Sequence, residues 1–287
     1  MIHNISVVSH SPQNTLGETP IYCDYLQKVI WVDILENSIY TLDIATLKIN
    51  KIKLPFLCSA ALPTTKKGIL LLVTENGVLS FDLLKETVIK KWIDFPEKDT
   101  RPNEAQISLN GDLFFGTMDY DAKSNKGSWY RFSSKDIKLT LLESNVSIPN
   151  TLAFFDDEVI FGDTATNQFF IDKVNALHWN DKKSCTPEIE AGGMDGSYFS
   201  GDNYLINARW GLSKTTVFDV QKNMNIHVEF ELPVKQPTSC VIYPSENGNK
   251  ILFTSAKVGL ENPSENDGKI SIADTTYKTR TINRFKL

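Results

Sequence analysis

Four residues of this chain, Glu18, Asn103, Asn150 and Asp195, could act together in one piece of chemistry. Each sits in a short stretch of polar or small residues, and such stretches recur along the chain. They are Leu16-Gly17-Glu18, Cys58-Ser59-Ala60, Pro102-Asn103-Glu104, Pro149-Asn150-Thr151, Met194-Asp195-Gly196 and Thr238-Ser239-Cys240. From Glu18 through Ser59, Asn103, Asn150 and Asp195 to Ser239, the steps are 41, 44, 47, 45 and 44 residues. Carboxylate and amide oxygens, with no imidazole or thiolate among them, suit a hard cation such as Ca2+, Mg2+ or Mn2+. Two carboxylates balance a divalent charge and leave coordination positions open to water or substrate. Taken singly, each side chain is an ordinary turn residue that caps its own backbone. Their register at one period makes them a set.

That period also names the elements that must carry them. Short runs rich in β-branched and aromatic residues fall at 29–32, 38–42, 69–73, 78–81, 129–132, 159–161, 169–171, 204–206, 217–220, 251–254 and 270–272. Turn clusters such as Glu75-Asn76-Gly77 and Ser200-Gly201-Asp202-Asn203 separate them. No stretch offers three clean turns of helical period with caps. Six units with a period in the forties predict an all-β fold, a six-bladed β-propeller with four-stranded blades around a central channel. One domain over residues 1–287 is expected. Equivalent positions of successive blades then face the same end of the channel.

Two local expectations follow. Pro102 fixes its own φ and biases Arg101 towards extended backbone, so Arg101-Pro102-Asn103-Glu104 is expected on a stiff loop before a strand. Asn110-Gly111 is expected to turn the chain into residues 113–115. The ring must also close, because an open edge strand invites aggregation. Ile5-Ser6-Val7-Val8 and residues 279–285 are expected to share the closing blade.

Composition removes several function classes. Hydrophobic residues make up 41% and charged residues 23%, as in ordinary soluble globular proteins. The net charge is −5 and no Lys/Arg run interleaves with aromatics, which argues against a nucleic-acid partner. The longest apolar runs, such as Ile69-Leu70-Leu71-Leu72-Val73, are strand-length, so no membrane span is expected. Met1-Ile2-His3-Asn4 lacks the basic and apolar features of a secretory start. Cys23, Cys58, Cys185 and Cys240 are scattered without a Cys-x-x-Cys pair and read as thiols of a reducing cytoplasm. His3, His10, His178 and His227 are equally dispersed and read as structural or surface residues. No Gly-x-Ser-x-Gly elbow is present and no histidine falls at the repeat period, so a serine hydrolase has little support.

The motifs resemble those of the SMP-30/gluconolactonase/regucalcin-like (LRE-like) propellers over nearly the whole chain. Leu16-Gly17-Glu18-Thr19-Pro20 and Ile30-Trp31-Val32-Asp33-Ile34 look like that family's opening Leu-Gly-Glu-Gly-Pro and Trp-Val-Asp-Ile. Arg101-Pro102-Asn103 with Gly116-Thr117-Met118 is similar to its Arg-Pro-Asn-Asp and Gly-Thr-Met. Ile148-Pro149-Asn150-Thr151-Leu152-Ala153 resembles its Asn-Gly-Leu-Ala segment, and Asp195-Gly196 its Pro-Asp-Gly. Ala208-Arg209-Trp210-Gly211 and Phe253-Thr254-Ser255-Ala256 resemble later strands, the latter its Val-Thr-Ser-Ala.

The resemblance implies a divalent-metal-dependent hydrolase, typically a lactonase that opens sugar-acid lactones. On matching positions the metal ligands are Glu18, Asn150 and Asp195, with Asp195 doubling as the catalytic general base. Arg101 and Asn103 hold the hydroxyls and carbonyl of the substrate. The implied cofactor is one divalent ion, Ca2+ first, with Mg2+, Mn2+ or Zn2+ as alternatives. The implied partner is a small-molecule lactone, met in the cytoplasm by a monomer or weak homodimer. Glu104 stands where the family usually has Asp, Ala105 and Thr151 where it often has Gly, and Tyr120 where some animal members have an acid. These departures bear on substrate identity. Two rival readings remain: a non-catalytic calcium- or ligand-binding propeller, and a metal-dependent esterase or phosphotriesterase on the same scaffold.

Overall fold

Strands such as Lys28–Asp33 and Ile69–Thr74 are buried along nearly their whole length. A strand covered on both faces reads as a continuous apolar run instead of an alternating one. The cover comes from neighbouring sheets. In a computed structural model describing residues 1–187 and 192–287, the strands form six four-stranded antiparallel sheets. Their innermost strands are Gly17–Cys23, Cys58–Pro63, Thr100–Ile107, Pro149–Phe155, Gly193–Phe199 and Pro237–Ser245, which head blades 1 to 6. Each inner strand adjoins the inner strands of both neighbouring blades, so the sheets close into a six-bladed β-propeller. Outer strands are mostly exposed; Thr87–Ile93 is an example. Among the described residues the helical content is one 3-10 turn, Val220–Lys222. No helix among them is long and apolar enough to cross a membrane.

One of the two local expectations needs correction. The polar stretches are not loops that precede the blades; they are parts of the inner strands themselves. Arg101-Pro102-Asn103-Glu104 lies within Thr100–Ile107. Proline is tolerated there because an inner strand is a sheet edge, with one side unpaired towards the channel. Pro20, Pro63, Pro149 and Pro237 occupy inner strands for the same reason. Gly111 does turn the chain, at φ +88°, into Leu113–Asp119.

The closure also differs from expectation. The N-terminal strand Ile2–Val7 completes blade 6, but it pairs with Ser271–Thr275 and not with residues 279–285. That tail crosses the mouth where the inner strands end. Arg280 N donates to Tyr198 Oη at 3.0 Å, Asn283 Nδ2 to Ile107 O at 2.9 Å and Phe285 N to Pro63 O at 3.0 Å. Phe285 is fully buried against Trp92 and Phe132, ring centroids 5.4 and 5.9 Å away. Burying that ring under blades 2 and 3 stabilises the tail more than edge pairing in a full blade could. Between the tail and the channel lies a cavity of about 110 Å³, bordered by Gln106, Ser197, Tyr198 and Arg280.

Candidate active site

The inner strands share one irregularity. Pairing with the second strand slips between Glu18 and Ile21, Cys58 and Ala60, Pro102 and Ala105, Asn150 and Leu152, Met194 and Ser197, and Pro237 and Ser239. These are the positions that the repeat period singles out. A bulge adds a residue to one strand, bends it and re-aims side chains that would otherwise alternate. Six bulges at one level therefore surround the start of the channel with Glu18, Ser59, Asn103, Asn150 and Asp195. All five are buried.

Carboxylates at or just past the ends of the second strands hold the approaches. Asp33 accepts from Thr15 N at 2.8 Å and Leu16 N at 3.0 Å, just before Glu18. Asp163 accepts from Ser147 N at 2.9 Å and Ile148 N at 3.1 Å, just before Asn150. Glu75 accepts from Leu57 N at 2.9 Å in blade 2. Trp31-Val32-Asp33 and Phe161-Gly162-Asp163 thus end in clamps on the loops that deliver the site residues.

A polar chain links three blades. Arg101 Nη1 donates to Asn103 Oδ1 at 2.8 Å, and Asn103 Nδ2 donates to Asn150 Oδ1 at 3.2 Å. Asn150 Nδ2 donates to Thr164 Oγ1 at 2.8 Å, and Thr164 Oγ1 donates to Met194 O at 2.6 Å. Both ends of the Asn150 amide are therefore assigned. Arg101 Nε has no partner among the described residues.

Burial and mutual repulsion dominate the electrostatics. Burial pushes the Glu18 carboxyl well above its ordinary value, and the charges of Asp195 and Glu104 push it further. Asp195 is raised by burial and by Glu104, against the Gly196 N–H and Arg101. Glu104 is pushed up to about 7 by burial, although the N–H groups of Ala105 and Thr151 favour its charged form. Burial draws Arg101 down to about 10, opposed by Glu18, Tyr120 and Asp195. Charges that perturb one another in this way occupy one pocket. Tyr120 stands half-exposed at the rim and donates to Glu75 at 3.2 Å.

Glu18, Arg101, Asn103, Asn150 and Asp195 thus come together at one mouth. Among the described residues no three His, Cys, Asp or Glu side chains converge as a metal cluster, so the set stands as two carboxylates and an amide. Sequence reasoning passed over Glu104 as a third buried carboxylate and read it only as a variant position. It also missed Thr164 and Asn207. Asn207 carried a signal: it is a fully buried amide in the apolar strand Tyr204–Trp210. The four histidines lie elsewhere, and all four cysteines are free.

Comparison with known proteins agrees with the motifs. A Rhizobium meliloti (strain 1021) protein inferred to be a sugar lactone lactonase is 29% identical over 260 residues, covering 86% of this chain and 84% of that one. The L-arabinolactonase of Azospirillum brasilense is 24% identical over 283 residues, covering 95% and 93%. Among solved structures, the calcium-binding protein regucalcin of Agrobacterium tumefaciens superposes with a TM-score of 0.88 at 25% identity, covering 98% and 97%. Residues 16–257 match the SMP-30/Gluconolactonase/LRE-like region as a whole. This chain belongs to the SMP-30/gluconolactonase/LRE-like family.

Proposed function

We propose that this protein is a divalent-metal-dependent lactonase that opens small sugar-acid lactones. Glu18, Asn150 and Asp195 would hold the ion, and Arg101 and Asn103 the substrate. One observation carries the reading: two buried, mutually repelling carboxylates share a mouth with an oriented amide oxygen and a guanidinium. The residues fit a dication. When ionised, Glu18, Glu104 and Asp195 outnumber Arg101 by two negative charges, which burial leaves costly unless a cation joins them. All the donors are oxygens, which favours Ca2+ first, with Mg2+, Mn2+ or Zn2+ as alternatives. The name of the regucalcin relative points the same way.

When bound, the ion supplies a Lewis acid that polarises the lactone carbonyl. Asp195 takes a proton from the attacking water as its oxygen adds to that carbonyl carbon. The ring C–O bond then breaks, and the proton passes to the departing alkoxide, which leaves a hydroxy acid. Arg101 Nε would hold a substrate oxygen in place, since an unpartnered buried N–H is a donor that a ligand can satisfy. Asn103, whose amide hydrogens go to Pro149 O and Asn150 Oδ1, would offer a substrate hydroxyl its Oδ1 beside Arg101. The same reading has the chain act as one propeller unit in the cytoplasm, as a monomer or weak homodimer. Its four free cysteines suit a reducing compartment.

Acid release from a panel of sugar lactones, with and without chelator, tests the proposal. Chelator-sensitive turnover is expected, and no metal-dependent turnover on any lactone would sink it. Tight calcium binding without turnover on lactones or other esters would favour a non-catalytic binding protein. Phosphotriester turnover in excess of lactone turnover would favour the phosphotriesterase reading.

A further inference from the structure

Two threonines directly follow proposed metal ligands, and both adopt left-handed backbone. The φ angle is +46° at Thr19 and +58° at Thr151. Glycine takes such angles freely, whereas a β-branched side chain there is strained. Such strain persists only where the surroundings over-determine it, and it gathers at functional sites. Both residues are buried, and each lies inside the register slip of its own inner strand. The left-handed residue is therefore part of the bend that aims Glu18 and Asn150 into the channel.

The hydroxyls hold the bend in place. Thr19 Oγ1 donates to Ser59 O of the next blade at 2.9 Å. Thr151 Oγ1 donates to Asp195 O of the next blade at 2.7 Å and accepts from Ser197 Oγ at 2.8 Å. Asn207 Nδ2 donates to the same Asp195 carbonyl at 2.7 Å and to Ser197 Oγ at 3.0 Å. The single hydroxyl proton of Thr151 goes to the Asp195 carbonyl, so the proton it shares with Ser197 comes from the Ser197 hydroxyl. The N–H of Thr151 meanwhile serves the Glu104 carboxylate of blade 3. One residue thus ties blades 3, 4 and 5 together at the level of the site.

We propose that Thr151, with Thr19 as its counterpart in blade 1, is a positioning residue for the metal ligands. Its hydroxyl locks the backbone of Asp195 while its own peptide sets the aim of Asn150. The inference rests on reading Glu18, Asn150 and Asp195 as ligands. It assigns the threonines no contact with ion or substrate.

Three variants separate hydroxyl from backbone. Thr151→Ser keeps the hydroxyl, Thr151→Val keeps the shape without it, and Thr151→Gly accepts the φ angle without it. Calcium affinity is read by titration calorimetry on chelator-treated full-length protein, alongside its calcium-free melting temperature and lactone kcat and KM. Thr151→Val and Thr151→Gly should bind calcium about 10–100-fold more weakly, the usual loss when a group that orients a ligand is removed. Their kcat should fall more than KM rises, and Thr151→Ser should return to within about threefold of the parent. If Thr151→Val fails to fold, Thr151→Gly carries the comparison. Parent-like calcium affinity in a folded Gly or Val variant would overturn the proposal, whatever happens to melting. Failure of Thr151→Ser to restore affinity would also overturn it. A parent protein that binds no Ca2+, Mg2+ or Mn2+ would instead refute the ligand reading beneath it.

Discussion

Asn150 and Asp195 differ by one exchangeable atom pair, yet swapping amide for acid should affect them oppositely. Asp195→Asn keeps a coordinating oxygen but cannot accept a proton from water. At saturating metal its kcat should fall about 10²–10⁴-fold, the usual scale of general-base catalysis, while metal affinity falls less. Asn150→Asp keeps the oxygen that Asn103 already orients and gives up the donor to Thr164. It should retain measurable turnover. Near parental rates for Asp195→Asn would make Asp195 a ligand only. Glu104 permits a test through pH. Its carboxyl moves from an ordinary 4.5 to about 7 on folding, so the folded state holds the proton more tightly. Stability then declines as pH rises from about 4.5 to about 7, by at most about 3 kcal/mol at 1.36 kcal/mol per unit. Glu104→Gln should remove that part of the slope and leave the part contributed by Glu18 and Asp195. In chelator it should melt above the parent at pH 8, with the gap closing towards pH 4.5, and an unchanged gap would refute the assignment.

The bulged inner strand is the element that turns a sheet edge into a site. Blade 5 is tightly packed there. A Cβ on Gly196 would lie 2.5 Å from Ser239 Oγ and 2.8 Å from Thr238 O. The hydroxyl can rotate away, but the backbone carbonyl cannot, so Gly196→Ala must move one inner strand. A loss of about 1–3 kcal/mol is expected in chemical denaturation, the usual scale of overpacking. Weaker calcium binding should accompany it, because Asp195 is the adjacent residue. A variant with parental stability and affinity would show that the strand has slack. The inner strands were also the least legible elements. Pro102, Asn103 and Gly196 lower β propensity, and the edge position that permits them becomes visible only once the ring is assembled.

Across the whole molecule, the two mouths of the channel divide the work. The proposed ligands Glu18, Asn150 and Asp195 lie where the inner strands begin, and the C-terminal tail packs where they end. In blade 2, Ser59 and Pro63 mark the two levels, roughly 13 Å apart at the rise of a strand. Phe285→Ala should therefore destabilise by about 3–5 kcal/mol, the usual cost of truncating a buried phenylalanine. Calcium affinity should stay within about twofold of the parent. A comparable loss of affinity would mean that the tail and the site are coupled through the channel. The tail could not be placed from sequence. Its short β-prone run suits an edge strand as well as a plug, and only the pocket for Phe285 between Trp92 and Phe132 decides between them.

Local sequence determined the blade count and the candidate set. Strands buried on both faces must be continuously apolar, and a repeat near 44 residues is long enough for four of them. Equivalent positions in a closed ring share a level, which placed Glu18, Asn103, Asn150 and Asp195 at one mouth. The tertiary structure decided which side chain of each bulge faces inward, because a slip of one residue reverses every direction after it. It also decided what holds those side chains there. Thr151 and Asp195 stand 44 residues apart in the chain. Nothing local to either marks a hydrogen bond that exists only because blades 4 and 5 are neighbours.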